Sequence, residues 1–266
     1  MLKWQEHMHS ATKVRTSMSL LSALLRKLPL WVGLALALGA QANDLNAFTE
    51  EWAPYNFEEN GQVRGISTDI LRAACSTAKL DCSIALVPWA RAYKSASTEP
   101  KALAYTTARK PSREHEFAWV GPILPRSTWV YTREDGTAPP ASAADLAKLR
   151  IGIVRGEASE QDLLAAGVPA TALVAQPTNV DVLRMLLAGG VDAMVDTEVA
   201  MQWNLKNQGL TARSVHQAFK LTDEGGYYFA LNLGTPPQTV EKLQTALDKL
   251  RANGQITRIT KRYLGP

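Results

Sequence analysis

Arginines and acids are the side chains of this chain best suited to binding a small charged molecule. Arg109 and Arg113 lie in a polar segment, residues 109–114, before an apolar run at 117–120. The planar guanidinium donates paired hydrogen bonds to a carboxylate, a geometry that lysine cannot reproduce. Either arginine could equally be a solvated loop side chain. Residue type alone therefore does not decide whether either arginine binds a carboxylate or is a solvated loop side chain.

Three acids later in the chain, Glu157, Asp196 and Glu198, are candidates for binding a cation. A carboxylate within about 4 to 6 Å stabilises an ammonium, and an acid beside an arginine can also transfer protons. Asp196 and Glu198 could instead complement the dipole of a helix predicted to begin near Thr197. Glu157 would repel a carboxylate if it pointed into a binding site.

The sequence contains no set of residues typical of a metal site or of a catalytic nucleophile. The chain has two cysteines and four histidines, and neither His115 nor His216 stands at a spacing typical of a zinc site. We find no nucleophile elbow and no phosphate-binding G-x-x-x-x-G-K-[ST] motif. We therefore predict no metal site, no cofactor and no catalytic residue.

Residues 1–42 have the pattern of a secretory signal. An apolar run at 28–39 follows basic residues and ends in Ala40-Gln41-Ala42. The run is about twelve residues, whereas roughly 20 are needed to cross a membrane, so cleavage after Ala42 is favoured over a retained anchor. This predicts export to the periplasm.

Removal of the signal changes the charge balance. Residues 1–42 contain five of the 29 lysines and arginines and one of the 25 acids, which leaves 24 of each. The remaining chain has no basic cluster to follow a phosphate backbone, so we exclude a nucleic-acid partner.

Cys75 and Cys82 can pair in an oxidising compartment, where a disulfide that closes so small a loop adds about 2 to 3 kcal/mol of stability. Two free buried thiols are the alternative.

The elements that must position these side chains alternate between strand and helix, which is typical of an α/β fold. Strands are predicted at 45–48, 83–87, 102–106, 128–132, 150–154, 192–195 and 227–231. Ser67-Thr68-Asp69 offers an N-cap to the first helix. The last helix repeats apolar residues at Val240, Leu243, Leu247 and Leu250. A Pro/Ala/Gly-rich connection at 135–142 separates two α/β units.

Several segments together resemble family 3 of the periplasmic solute-binding proteins, the polar amino-acid-binding group of the lysine/arginine/ornithine-binding type. The segments are Glu51-Trp-Ala-Pro-Tyr55, Asn60 to Gly65 with Asp69, the Cys75 and Cys82 spacing, residues 108–114 running into Phe117, residues 190–195, and residues 253–256 with 261–263.

The resemblance implies a two-lobed periplasmic-binding-protein fold with two hinge crossings, near 131–132 and 225–228. Lobe 1 would comprise residues 43–131 and 228–266, and lobe 2 residues 132–227. The ligand would lie between the lobes and be buried by hinge closure.

The resemblance also assigns site residues. Arg113 takes the position of the carboxylate-binding arginine, with Arg109 as a second contact or an exposed side chain. Trp52 and Trp89 match positions at which the family has aromatic rings against the ligand, and Thr106 matches a polar position in the same cleft. The tryptophans could instead be ordinary core residues, and Thr106 an ordinary strand residue. The amine-binding aspartate aligns with Thr197, so Asp196 or Glu198 would replace it. Glu157 stands where the family has a hydroxyl.

The implied function is capture of a small carboxylated or amine-bearing ligand, an amino acid first of all. A monomeric periplasmic protein would deliver it to the membrane permease of an ABC transporter. Two alternatives remain open: a dehydratase-like periplasmic enzyme on the same scaffold, and a partner of a membrane sensor.

Overall fold

Two five-stranded mixed sheets, each covered by helices, form the architecture. It is seen in a computed structural model that describes residues 43–136 and 138–264. The predicted signal at residues 1–42, with its cleavage site, lies outside the described residues. The two-lobed α/β fold is confirmed.

The sheet of lobe 1 has the order β4-β1-β5-β12-β6. Strand β1 pairs in parallel with β4 and β5, and β12 pairs antiparallel with β5 and β6. Leu243, Leu247 and Leu250 of the last long helix are buried against this sheet, as their spacing predicts. The elements are β1 (Leu45–Thr49), α1 (Ile66–Ala78), β4 (Cys82–Leu86), α2 (Trp89–Thr98), β5 (Ala102–Ala108), β6 (Ala118–Pro125), β12 (Gly226–Leu231), α7 (Pro237–Ala252) and α8 (Gln255–Leu264), with a hairpin of β2 (Phe57–Glu59) and β3 (Gln62–Arg64).

The sheet of lobe 2 has the order β11-β7-β10-β8-β9. Strand β8 pairs in parallel with β9 and β10, while β7 pairs antiparallel with β10 and β11. The elements are β7 (Thr128–Arg133), α3 (Ala143–Leu146), β8 (Ile151–Val154), α4 (Ala158–Ala165), β9 (Leu173–Gln176), α5 (Asn179–Leu187), β10 (Ala193–Asp196), α6 (Glu198–Asn207) and β11 (Val215–Thr222).

The crossings between the lobes differ in position from the sequence prediction. The chain leaves the first sheet at Pro125 and enters the second at Thr128, so the first crossing is 126–127 rather than 131–132. The whole of β7 belongs to lobe 2, because its hydrogen bonds go to β10 and β11. The return crossing, 223–225, precedes β12, all of which lies in the sheet of lobe 1.

The first helix also begins differently from the prediction. Helix α1 starts at Ile66, and its N-cap is Gly65 with φ 125°, not the Ser67-Thr68-Asp69 segment. A Cβ at Gly65 would lie 2.3 Å from the carbonyl oxygen of Tyr55, so both the backbone angle and the space require glycine. The hydroxyl of Thr68 is instead 3.0 Å from that of Tyr105.

Cys75 and Cys82 form a disulfide that joins the end of α1 to the start of β4. We expect the double variant Cys75→Ser, Cys82→Ser to lose about 2.5 kcal/mol of unfolding free energy, because the closed loop is short. Urea titration of both proteins measures this difference. Equal midpoints would show that the bond does not constrain the unfolded chain, and a free-thiol assay on the denatured wild type provides the control.

A search of the described residues finds no helix that is both long and apolar enough to span a bilayer.

Candidate functional site

A charged cleft lies between the lobes, at the carboxyl ends of β1 and β5 on one side and of β8 and β10 on the other. This is the edge at which open α/β sheets bind ligands. The central space is about 30 Å³, room for about two waters, so the lobes must separate to admit a larger molecule. The lining residues include Glu50, Trp52, Trp89, Thr106, Arg113, Arg126, Glu157, Asp196 and Tyr227.

Arg113 presents an unsatisfied guanidinium to the cleft. Its side chain is 1% exposed and stands in a short 3-10 helix, Pro111–Arg113. The Nη2 group donates to the Gly156 carbonyl (3.1 Å), and the guanidinium carbon lies 4.9 Å from the ring centre of Tyr93. Among the described residues nothing accepts from Nε or Nη1. Each of these donors shares an edge of the guanidinium with Nη2, so an incoming carboxylate would accept from one of them together with Nη2.

Asp196, at the end of β10, is one of three acids that line the cleft. Its Oδ1 accepts from the indole Nε1 of Trp52 (3.1 Å) and from the backbone N–H of Thr197 (2.8 Å). No described group donates to Oδ2. Burial raises the pKa of Asp196 to about 7. An ammonium placed at Oδ2 would favour the ionised carboxylate.

Glu50 and Glu157 meet across the cleft, one from each lobe. The carboxyl of Glu50, directly after β1, and that of Glu157, the N-cap residue of α4, line the same small cleft close to each other. Glu157 also accepts from Ser159 (3.3 Å) and Asn179 (3.2 Å). Burial, followed by the charge of Glu157, raises the pKa of Glu50 well above its usual value. Burial and the neighbouring acid therefore favour the protonated form of Glu50.

Thr106 positions the Glu50 segment. Thr106 has φ 60° inside β5, and its hydroxyl donates to Oδ1 of Asn56 (2.6 Å). The amide of Asn56 donates in turn to the backbone carbonyl of Glu50 (2.5 Å). Thr106 thus lines the cleft and fixes the loop that carries Glu50 and Trp52.

Side chains of both lobes hold the cleft closed. The indole Nε1 of Trp89 donates to the Gly156 carbonyl (2.9 Å), and the hydroxyl of Tyr55 donates to that of Thr197 (3.1 Å). Asp162 on α4 forms ion pairs with Lys110 and with Arg126. A hinge motion that opens the cleft must break these contacts.

The charges in the cleft do not cancel. The set comprises the charged residues that line the cleft, Asp162, which pairs with Arg126, and Lys110, which pairs with Asp162. Fully ionised, its three cations and four acids leave one negative charge in excess. One retained proton or one bound molecule of net charge +1 would neutralise it. The members are Lys110, Arg113, Arg126, Glu50, Glu157, Asp162 and Asp196.

Arg109 and Glu198 lie apart from the other predicted site residues. Arg109 is exposed, pairs with Glu114, and lies over the rings of Trp119 and Tyr228. Glu198 is exposed and accepts from Gln202 (3.2 Å). The structure brings Trp52, Trp89, Thr106, Arg113, Glu157 and Asp196 together in the cleft lining.

Sequence reasoning missed Glu50, Arg126 and Tyr227, which also line the cleft. Glu50 follows the first strand directly, and that position at the carboxyl end of a strand was an available signal. Arg126 lies in the first crossing between the lobes, which the sequence analysis placed too far along the chain.

No group of three or more metal-binding side chains is found within the described part of the chain.

Residues 46–266 match the model of the bacterial extracellular solute-binding proteins, family 3. The chain belongs to this family. No curated protein sequence matches it significantly. The family membership predicted from the sequence is therefore confirmed, and with it the two-lobed binding scaffold.

Solved structures of similar fold include binding proteins and a sensor domain. A histidine kinase sensor domain similar to periplasmic binding proteins has a TM-score of 0.75 at 21% identity, over 83% of this chain and 96% of that one. The arginine-, lysine-, histidine-binding protein ArtJ of Geobacillus stearothermophilus gives 0.73 at 18%, over 84% and 95%. A Salmonella typhimurium periplasmic protein of high arginine specificity gives 0.68 at 18%, over 83% and 99%. At these identities the likeness shows the fold.

Proposed function

We propose that this protein captures an amino acid with a positively charged side chain, such as arginine, lysine or ornithine, between its lobes. The observation that carries the proposal is the free buried guanidinium of Arg113 facing the carboxyls of Glu50, Glu157 and Asp196 in one cleft. Such a ligand brings one carboxylate to the arginine and two cations to the acids. Its net charge of +1 matches the excess negative charge of the cleft.

Each ligand group has a partner in this assignment. The carboxylate accepts from Nε or from Nη1 of Arg113, neither of which has an acceptor among the described residues. One cation lies against the free Oδ2 of Asp196 and the other between Glu50 and Glu157. Trp52 and Trp89 enclose the apolar part, since an indole face accommodates both methylene groups and cations.

The role we propose is delivery to the permease of an ABC transporter, by a monomer in the periplasm. Family membership and the export signal predicted at residues 1–42 support it. A sensor role is the second candidate, because a histidine kinase sensor domain shares the fold. Reconstitution with a candidate ABC-transporter permease tests delivery, and ligand-stimulated transport would favour it over sensing.

We propose binding without chemical conversion. The matching family is one of solute-binding proteins, and two of the similar folds are named as binding proteins. Incubation with amino acids and with cyclic carboxylic acids, followed by mass spectrometry, tests this point. A product of changed mass would instead support the dehydratase-like alternative.

A thermal-shift panel tests the proposed ligand class. At a hundredfold excess over Kd, a ligand adds about 2.7 kcal/mol of stability, which raises the melting temperature of a domain of this size by roughly 5 to 10 °C. We expect that rise with L-arginine, L-lysine or L-ornithine. L-Citrulline is the matched neutral control, because it keeps the shape and carboxylate of arginine without the side-chain charge. An equal shift with L-citrulline would contradict the proposal.

A further inference from the structure

The Glu50 and Glu157 pair has a property that amino-acid binding alone does not require. Two carboxyls from opposite lobes line one small closed cleft close to each other, and two neighbouring carboxyls removed from water are stable only when one of them holds a proton. Glu50 is 6% exposed, and nothing described donates to its Oε2. The proton therefore holds the place that a cation would otherwise fill.

We propose that the ligand enters this cleft in exchange for a proton, which leaves the carboxyl of Glu50 when a ligand cation lies between Glu50 and Glu157. The inference rests on the proposed function and adds to it. Before binding, Glu50 is neutral and donates to ionised Glu157. After binding, both are ionised and flank the ligand cation, and the proton passes to solvent, so the exchange at Glu50 by itself leaves the charge in the cleft unchanged.

The surrounding groups keep the proton on Glu50 rather than on Glu157. Burial raises the pKa of Glu157 as well, but hydrogen bonds from Ser159 and Asn179 and the charge of Arg113, on its 3-10 helix, oppose that rise. Asp196 on β10 raises the pKa of Glu50. The remaining ionisable side chains that line the cleft are Arg126 in the first crossing and Tyr227 on β12. Arg126 is already paired with Asp162, so it leaves the acid pair unneutralised.

The exchange makes affinity depend on pH. A ligand that releases one proton binds about tenfold more tightly for each pH unit while Glu50 is protonated in the free protein. Asp196 adds its own release, because its pKa also lies above the usual value. The wild type and a Glu50 variant both contain Asp196. The difference in proton release between them therefore measures the contribution of Glu50.

The deciding experiment is calorimetry of L-arginine binding to the wild type and to Glu50→Gln, between about pH 5.5 and 7, in buffers of different ionisation enthalpy. Glutamine retains a donor toward Glu157 but has no proton to release. We expect the wild type to release about one proton more than Glu50→Gln, and its affinity to rise about tenfold more per pH unit. Glu51→Gln is the matched control, since Glu51 accepts from the Glu58 backbone outside the cleft.

Equal proton release by the wild type and Glu50→Gln would overturn the exchange and leave amino-acid binding intact. If L-arginine, L-lysine and L-ornithine all fail to bind the folded wild type, the proposed function falls, and the exchange with it. Should Glu50→Gln not fold, Glu157→Gln serves instead. Loss of the Glu157 charge makes Glu50 easier to ionise, so this variant must also release fewer protons than the wild type.

Discussion

Replacement of Arg113 by alanine is expected to weaken L-arginine binding at least about thirtyfold, and up to several thousandfold. The side chain is fully buried, and two of its donors have no acceptor among the described residues. Loss of one partner of a buried charge pair costs about 2 to 5 kcal/mol, because the other charge is left unpaired. Isothermal calorimetry on purified protein measures the effect.

Arg109→Ala is the matched control for this experiment. Arg109 lies four residues away, is exposed, and pairs with Glu114 outside the cleft. We expect its affinity for L-arginine to stay within about threefold of wild type, since exposed ion pairs contribute about 0 to 1 kcal/mol. Arg113→Lys should also bind weakly, because an ammonium lacks the paired donors. An unchanged affinity in Arg113→Ala would show that the carboxylate binds elsewhere.

The ligand-free protein is expected to lose stability as the pH rises from about 4 to 7. Burial raises the pKa of Asp196 to about 7 from an ordinary value of 3.8. In that interval the unfolded chain has already released this proton while the folded protein retains it, so the stabilisation is complete below about pH 4 and is lost through pH 7. The shift corresponds to roughly 4 kcal/mol for Asp196 alone, and Glu50 and Glu157 act in the same direction.

Opening of the lobes limits this loss, because the ionised carboxyls regain water when the cleft opens. We therefore expect two observations in the same pH range: a lower unfolding free energy in urea, and a larger radius of gyration by X-ray scattering. A saturating cationic ligand should suppress both changes, since it supplies the charge that the protons supplied.

Asp196→Asn isolates the contribution of Asp196. Asparagine keeps an acceptor for Trp52 and for the Thr197 backbone but does not titrate, so the decline from pH 4 to 7 should be smaller. Asp192→Asn is the control: a hydrogen bond from Arg150 lowers the pKa of Asp192, so its contribution has the opposite sign. An equal decline in the wild type and Asp196→Asn would refute the assignment.

Local sequence patterns were sufficient for most elements but not for all. The spacing of Leu243, Leu247 and Leu250 predicted the buried face of α7, because helical periodicity is a local property. Strand β11 gave no such signal: it lies at the edge of its sheet and only Val215 is fully buried. The first crossing was placed too late because the partners of β7, namely β10 and β11, follow it by 60 residues or more.

The residues of the candidate site were likewise predicted only in part from the sequence. Residue types identified Arg109, Arg113, Asp196 and Glu198 as candidates, but the direction in which each side chain points depends on the surrounding fold. Asp196 ends a buried strand and points into the cleft, whereas Glu198 begins the next helix and faces solvent. Arg113 is buried by the opposite lobe, through Gly156, while Arg109 lies outside that contact.

The sequence by itself therefore determined the family, the α/β class, the cysteine pair and the arginine segment, since each depends on residue type, order or short-range spacing. The tertiary structure alone decided the crossings, the position of Asp196 in the cleft and the meeting of Glu50 with Glu157. Those two residues are 107 positions apart and lie on different lobes. Their contact, and the raised pKa of Glu50 that follows from it, arise only when the lobes close and remove both carboxyls from water.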